Sequence, residues 1–225
     1  NIGYQGAAVE TFVGTLNISN STFTNNTVEE NGIIGAFNTV ATITNSTISN
    51  NTIGNAAAID TEGNGSSLTL NNDTIYGNTA ANRFAGIFGE DASIANTIVA
   101  GNSPSDCYIT SLVNYGHNII ETADFATLCK GGQDATTLTG VDPKLGPLTF
   151  HGGIFPTQTP LTGSPAIGAG SGATPGSNSV SACTALDERG FVRGAGSACT
   201  IGAVEADQGA QTPTILPRSH GASGS

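Results

Sequence analysis

LNISNSTFTNN (16–26) begins a run of four segments that align without a gap and decide the fold; ATITNSTISNN (41–51), LTLNNDTIYGN (68–78) and ASIANTIVAGN (92–102) complete the run. Within each segment apolar residues alternate with polar ones, as a strand with one buried face requires. The segments start 25, 27 and 24 residues apart, at Leu16, Ala41, Leu68 and Ala92. A repeat of this period predicts a solenoid.

The composition of the segments favours a parallel β-helix among the solenoids. They are rich in Thr, Ile, Val and Asn, whereas a leucine-rich repeat needs its LxxLxL frame and usually a helical return. We therefore expect an all-β, right-handed single-stranded parallel β-helix of about five or six rungs, with about three short strands in each. The inward side chains should form two ladders: Ile18, Ile43, Leu70 and Ile94, and Phe23, Ile48, Ile75 and Val99.

Asparagine recurs at two places in every segment, first at Asn20, Asn45, Asn72 and Asn96, then at Asn26, Asn51, Asn78 and Asn102. Asn tolerates a left-handed backbone, and its amide can bond to the same group one rung away. We interpret the column of Asn20, Asn45, Asn72 and Asn96 as a structural ladder at a bend and not as a ligand site.

The repeat weakens after Asn102, where the chain becomes rich in turns. Quartets such as Ala56-Ala57-Ala58-Ile59 precede the segments and predict one further strand per rung. We expect rungs over residues 1–130, a loop-rich C-terminal cap of the same domain over 131–206, and a flexible Thr/Pro/Ser/Gly-rich tail over 207–225. Because the chain starts in mid-pattern, we also expect further rungs before Asn1 and an open edge that favours self-association.

The charge and the cysteines restrict the classes of function. A net charge of −11, from 17 acidic and 6 basic residues, opposes binding to nucleic acid or to an anionic membrane, and no transmembrane run is present. The cysteines form two pairs close in sequence, Cys107 with Cys129 and Cys183 with Cys199, each bracketing a loop-rich region. We expect two disulfides and an exported protein. A zinc site is the alternative, but there is no CxxC and the histidines are scattered.

An ordered string of C-terminal motifs resembles the choice-of-anchor Q domain of bacterial surface proteins. The motifs are NTIVAGNSPSDC (96–107), GHNII (116–120), DPKLGPL (142–148), HGG (151–153), GSPAIGAG (163–170), DERGFVR (187–193) and CTIGAVE (199–205). The resemblance implies a β-helix in an exported bacterial protein that is attached to the envelope or released. It implies no catalytic residues. In DERGFVR we expect Asp187 and Arg189 to form an ion pair that ties the cap.

Four acidic residues after two of the quartets form the candidate site: Asp60 and Glu62 follow Ile59, and Glu90 and Asp91 follow Ile87. Neighbouring rungs would bring these acids to one face, and a retaining glycosidase needs two carboxyls about 5–5.5 Å apart. The same acids can bind Ca²⁺ or simply solvate exposed turns, and we favour solvated turns. A polysaccharide lyase is disfavoured because it needs Lys or Arg beside the uronate carboxylate, and Arg83 is the only such residue before Lys130.

We predict a non-enzymatic extracellular or cell-surface module, structural or adhesive, serving as a stalk or filament subunit. Its partner would be an envelope component, a surface glycan or a second copy of the chain. The alternative is a β-helix that binds or degrades a polysaccharide. Thr22, Thr47 and Thr74 form a row that suits ice or a crystalline glycan, but Ile98 breaks the row and it is one column wide.

Overall fold

The computed structural model describes residues 2–5, 8–81, 84–194 and 198–206, and for residues 3–5 it describes the backbone only. Three predicted features lie wholly or partly outside the described residues: the tail (207–225), Arg83, and the first two residues of the quartet at 6–9. Strands alone make up the regular structure, and within the described ranges no helix is long and apolar enough to cross a membrane. The prediction of an all-β chain is confirmed.

The strands form three parallel sheets that run along the molecule. The first sheet holds β1 (Ile2–Gln5), β5 (Thr27–Glu30), β9 (Thr52–Ile53) and β13 (Thr79–Ala80). The second holds β2 (Val9–Thr11), β3 (Gly14–Ser19), β6 (Ile34–Phe37), β7 (Thr39–Thr44), β10 (Ile59–Glu62), β11 (Ser67–Asn71), β14 (Ile87–Ala95) and β16 (Cys107–Asn114). The third holds β4 (Thr22–Thr24), β8 (Thr47–Ser49), β12 (Thr74–Tyr76), β15 (Ile98–Ala100) and β17 (Ile119–Ile120).

The chain visits the three sheets in order and so winds a parallel β-helix. Two strands of each early turn lie in the second sheet, the quartet strand and the strand that opens the repeat segment, and in β14 and β16 they merge into one continuous strand. This arrangement gives about four complete turns, fewer than the five or six rungs predicted. The last level has β16 and β17 without a named strand of the first sheet, because the repeat pattern ends at Asn102.

The predicted inward ladders are confirmed by the strand register. Ile18 pairs with Ile43, which pairs with Leu70, which pairs with Ile94. The second ladder runs from Phe23 through Ile48, Ile75 and Val99, and continues to Ile120. All of these side chains belong to or pack against a single buried apolar cluster inside the coil. Identical spacing of apolar residues in each turn therefore stacks like on like, which is the source of the core.

The asparagine ladder lies in a different column from the one predicted. Asn20, Asn45, Asn72 and Asn96 do have left-handed backbone, with φ between 49° and 58°, but their amides do not bond to one another. The amides that bond from turn to turn are those of the column that closes each segment. Each Nδ2 donates to the Oδ1 of the next turn, at 3.0, 2.8 and 2.9 Å, through Asn26, Asn51, Asn78 and Asn102. Asp106 ends this ladder by accepting from Asn102 at 2.8 Å.

The residues that cover the end of the coil lie before the predicted cap (131–206), and most of the predicted cap has a different role. The C-terminal end of the coil is covered by Ala123, Phe125 and Leu128, which pack against the main core beside the disulfide Cys107–Cys129. Residues 151–194 and 198–206, here called the flank segment, instead run back along the outside of the third sheet. Its carbonyl at Pro156 accepts from Thr22 on the first turn at 3.0 Å, and Ser171 donates from its amide to Asn96 on the fourth at 2.9 Å. Few residues suffice to close the narrow end of a solenoid, so most of the segment serves the flank.

The outer surface of the third sheet explains why the flank segment is needed. Its outward residues Thr47, Ser49, Thr74 and Ile98 are all buried, although they point away from the coil. Ile98, Ala100 and Ile119 form a second apolar cluster with Ala166 and Ile201 of the flank segment. The threonine row Thr22, Thr47 and Thr74 is therefore a contact surface for the flank segment and not an open binding face.

Polar contacts also anchor the flank segment. Asn45, Asn72 and Asn96 donate to Leu186 O, Cys183 Sγ and Ser181 O at 2.8, 3.4 and 2.9 Å. These amides face out of the coil and bind the flank segment, which is why they cannot form a ladder among themselves. The second predicted disulfide, Cys183–Cys199, closes the segment, with its Cα atoms 6.6 Å apart.

Asp187 and Arg189 lie in contact within the flank segment, with Nη2 and Oδ2 2.9 Å apart and both side chains buried. Asp187 Oδ1 also accepts from the amides of Arg189 and Phe191, at 2.8 and 3.0 Å. Arg189 in turn donates to the carbonyls of His151 and Glu205. This pair joins the start and the end of the flank segment, because charge-assisted bonds are short and directional.

Candidate functional site

The exposed surface of the second sheet carries the candidate site. Because side chains alternate along a strand, every second residue of the quartet strands points out of the coil. The strand register places Glu10, Gly35, Asp60, Phe88 and Tyr108 in one outward column, one residue from each successive turn. Glu62 lies opposite Phe37 in the neighbouring outward column. In the first column the acids thus lie on the first and third turns, and the aromatic residues lie on the fourth and fifth.

A cavity of about 250 Å³ opens in the middle of this surface. It is lined by Glu30, Asn31, Asn55, Ala56, Asp60, Glu62 and Phe88. Three carboxyls and two amides line it together with one aromatic ring. The cations of the described residues, Lys130, Lys144, Arg189 and Arg193, do not line it.

Three aromatic rings stack at one wall of the cavity. The ring centres of Phe88 and Tyr108, on successive turns, are 5.4 Å apart, and Phe84 lies 5.6 and 4.4 Å from them. The rings are within 26° of parallel, so the stack is rigid and each ring supports the next. Phe88 is the member of the stack that lines the cavity.

Two features of the local sequence shape the cavity. Gly35 lies between Glu10 and Asp60 in the outward column, and a Cβ there would lie 3.0 Å from the ring of Phe37, so the missing side chain leaves room for that ring. Asn31 turns the chain before β6 with a positive φ of 59°, and its amide donates to Glu10 Oε1 at 2.5 Å. The amide wall of the cavity is therefore held by a bond within the same surface.

The four predicted acids do not form one cluster. Asp60, which is buried, and Glu62 both line the cavity, whereas Glu90 is exposed and Asp91 lines a separate cleft of about 220 Å³ with Ser67, Ser93 and Ser111. Glu90 and Asp91 sit where β14 passes from one half of the second sheet to the other. The four acids therefore do not line one cavity: Asp60 and Glu62 line the first, and Asp91 lines the second.

The predicted calcium alternative concerns the same four acids. In the part of the chain that the structure describes, which includes all four acids, no three His, Cys, Asp or Glu residues gather in a way that could hold a metal ion. Asp60 and Glu62 share their cavity with Glu30, an acid that the sequence pattern did not single out. Glu30 ends β5 in the first sheet and approaches from the side, a position that strand periodicity within one segment does not reveal.

Two buried carboxyls lie far from this surface, beneath the flank segment. Glu188 accepts from the hydroxyls of Thr22 and Thr47, and burial raises its pKa to about 7. Asp73 accepts from the amides of Ser46 and Asn71 at 2.9 and 3.0 Å, and burial raises its pKa well above the ordinary value. Both hold the structure together instead of facing the open surface.

The cavity suits a ligand rich in hydroxyl groups. Carboxylates and amide oxygens accept hydrogen bonds, amide nitrogens donate them, and an aromatic ring packs against the apolar face of a sugar. A negatively charged glycan would be repelled by the three carboxyls. No protein-family model, curated protein or solved structure matches the chain.

Proposed function

We propose that this protein is a non-enzymatic adhesive module of the bacterial cell exterior, and that it holds a neutral polysaccharide on the open surface of its second sheet. The observation that carries the proposal is the cavity in which Glu62 and Asp60 lie beside the stacked ring of Phe88. The parallel β-helix supplies a rigid support, since each turn packs on the next along the whole molecule.

An exported location is part of the proposal. The disulfides Cys107–Cys129 and Cys183–Cys199 support it, because disulfides persist in oxidising compartments. The resemblance of the C-terminal motifs to the choice-of-anchor Q domain supports it as well, and membership of that group is proposed on those motifs alone. The motifs DERGFVR and CTIGAVE lie in the flank segment, where Arg189 and Arg193 bind its carbonyls.

The test is binding of the purified chain to a panel of neutral glycans (β-glucan, mannan, xylan, chitin) and uronate glycans. We expect retention on at least one neutral glycan, weakened about fivefold to tenfold by Phe88→Ala, because an aromatic contact contributes about 1 kcal/mol. Glu62→Gln should weaken it too. Asp91→Asn is the matched control, since Asp91 lines a different cleft. Binding to uronate glycans alone, or equal binding by Phe88→Ala, would refute the proposal.

A polysaccharide hydrolase is the second candidate, favoured by the two carboxyls in one cavity. Asp60 and Glu62 are two residues apart on β10, a rise of about 6.6 Å. New reducing ends that disappear in both Asp60→Asn and Glu62→Gln would establish this function in place of adhesion.

A further inference from the structure

Glu188 is the acidic side chain that attaches the flank segment to the first two turns, beside the contacts of Pro156 with Thr22 and of Leu186 and Arg193 with Asn45. Its two carboxyl oxygens lie within hydrogen-bond distance of hydroxyls on successive turns: Oε1 is 2.8 Å from Thr22 Oγ1 on β4, and Oε2 is 2.6 Å from Thr47 Oγ1 on β8. Its own amide donates to the carbonyl of Ala203 at 2.9 Å, within the flank segment. One buried carboxyl therefore bridges the flank segment and two turns of the coil.

No cation pairs with this carboxyl in the described part of the chain. The neighbouring Arg189 pairs with Asp187, and Arg193 pairs with Glu205 at 3.6 Å. The strands beneath, β4 and β8, bring only hydroxyl, aromatic and aliphatic side chains. The hydroxyl of Thr22 has one hydrogen, which it can donate to the carbonyl oxygen of Pro156 at 3.0 Å. A neutral Glu188 then donates from Oε1 to Thr22 and accepts from Thr47 at Oε2, whereas an ionised carboxylate buried here has no counter-ion.

The titratable groups around Glu188 also favour its neutral form. Asp187 on the flank segment and Asp73, which precedes β12, are both acidic and disfavour a further negative charge. Arg193 and Arg189 are the nearby cations, and their donors are already bound to Asn45, Asp187 and backbone carbonyls. His151 belongs to the same region of the flank segment and accepts from Arg189 through its carbonyl.

We propose that Glu188 is a pH-sensitive latch, which holds the flank segment on the first two turns while the carboxyl is neutral and loosens it as the carboxyl ionises. The pKa of about 7 in the closed form, against an ordinary 4.5, sets the range over which this happens. In the closed form, with the flank segment bound, Glu188 keeps its proton to higher pH than in the open form. The free energy that favours closure therefore decreases as the pH rises from about 4.5 to about 7, and it is constant above that range. Opening would expose Thr22, Thr47 and the outer surface of the third sheet. The inference is independent of the proposed function, whose surface lies on another sheet.

The experiment is amide hydrogen exchange of the whole chain at pH 5, 6, 7 and 8, compared with Glu188→Gln. Gln is neutral at every pH and can donate to one threonine hydroxyl and accept from the other. Dividing the rate of the native chain by that of the variant at the same pH removes the intrinsic pH dependence of exchange. In the peptide that contains residues 184–193, we expect this ratio to rise on the order of 50-fold from pH 5 to pH 8, with most of the rise below pH 7.

Peptides of the coil that do not contact the flank segment, such as residues 59–69 in the second sheet, separate local opening from global unfolding. Their ratio should stay constant across the pH range. A constant ratio in residues 184–193 as well, or an equal rise in both peptides, would overturn the latch. Thr47→Val is a second variant, which keeps Glu188 but removes one hydroxyl of the bridge. If Glu188 in the bridge is the titrating group, the rise in the exchange ratio should move to a different pH range in this variant.

Discussion

At the residue scale, the same side-chain chemistry stabilises the coil in one column and binds the flank segment in another. Asn26, Asn51, Asn78 and Asn102 are buried and bond from turn to turn, whereas Asn45 and Asn72 bind the flank segment. A further column uses mixed residues. Ser46, Asp73, Thr97 and Asn118 each accept, through a side-chain oxygen, from the backbone amide of the preceding turn. Any short side chain with an acceptor oxygen suits that position.

Replacement of Asn78 by Ala tests the ladder at its centre. The amide of Asn78 accepts from the backbone and side chain of Asn51 at 3.1 and 2.8 Å, and donates to Ile48 O and Asn102. Loss of these bonds leaves buried donors and acceptors without partners, so we expect the free energy of unfolding to fall by about 3 kcal/mol. Urea denaturation measures it. Asn17→Ala, at an exposed position of β3, should change stability by less than about 0.5 kcal/mol, and an equal loss in both variants would contradict the ladder's role.

At the scale of elements, the close parallel stacking of strands requires residues without side chains at certain contacts. Gly86 precedes β14, and a Cβ built there would lie 1.9 Å from the carbonyl oxygen of Asp106 on the next turn. Asp106 O also accepts from the amide of Ile87 at 2.9 Å, so the two chains cannot separate without loss of the bond. The contact therefore fixes the spacing of the fourth and fifth turns.

Gly86→Ala is expected to destabilise the protein by about 3 kcal/mol, because backbone atoms must move to admit the methyl group. Thermal and urea unfolding both report the loss. Gly172→Ala is the matched control, since nothing lies within 4 Å of its built Cβ. Equal stability of the two variants would show that the coil can widen at this contact.

The flank segment is an element held by a buried cation. Arg193 is 2% exposed and donates to Asn45 on the coil, at 2.9 Å, and to the carbonyls of Thr200, Gly202 and Ala203. Its guanidinium therefore organises the segment's own turns and joins them to the second turn of the β-helix. Burial lowers the pKa of Arg193, but the nearby acids Asp187 and Glu205 oppose that shift.

Arg193→Met should cost about 3 to 5 kcal/mol, since it leaves several buried carbonyls and Glu205 without their partner. The loss should appear first as faster amide exchange in residues 198–206, before the coil is affected. Lys144→Met is the control, because Lys144 is an exposed cation. Faster exchange of the coil and of residues 198–206 in equal measure would contradict a local role.

At the scale of the whole molecule, buried acids make stability depend on pH. The folded form of Glu188 keeps its proton up to a pKa of about 7, whereas the unfolded form loses it near 4.5. More protons are bound in the folded form between these values, so stability falls as the pH rises through this range, by about 3 kcal/mol at most for this group. Asp73, whose pKa is also raised, acts in the same direction. Asp124 and Asp134 have lowered pKa values, so the stability they contribute is lost only in acid, as the pH falls below about 4.

Urea denaturation at pH 5 and pH 8 checks this prediction. The native chain should be more stable at pH 5, and Glu188→Gln should reduce the difference between the two pH values. The net charge of −11 adds repulsion at high pH in both chains, so the comparison isolates the single carboxyl. A native chain that is more stable at pH 8 would show that other groups dominate.

The sequence by itself determined the coil. The spacing of Ile18, Ile43, Leu70 and Ile94 predicted the strands, their register and the main core, because a period of two within strands and a constant repeat allow one stacking. The pairing of the cysteines followed from their separation in the chain. These features depend on contacts between equivalent positions, which a repeat makes visible.

Tertiary structure alone decided which outward surfaces are covered and which residues meet there. The outward asparagines and threonines of the repeat look alike in sequence, but the flank segment binds Asn45 and Thr47 from more than a hundred residues away. Asp91 and Asp60 line different cavities, and Glu30 enters the cavity of Asp60 from a different sheet. Periodicity specifies what faces the inside of a solenoid, whereas the contacts on its outside depend on the path of a segment that has no repeat.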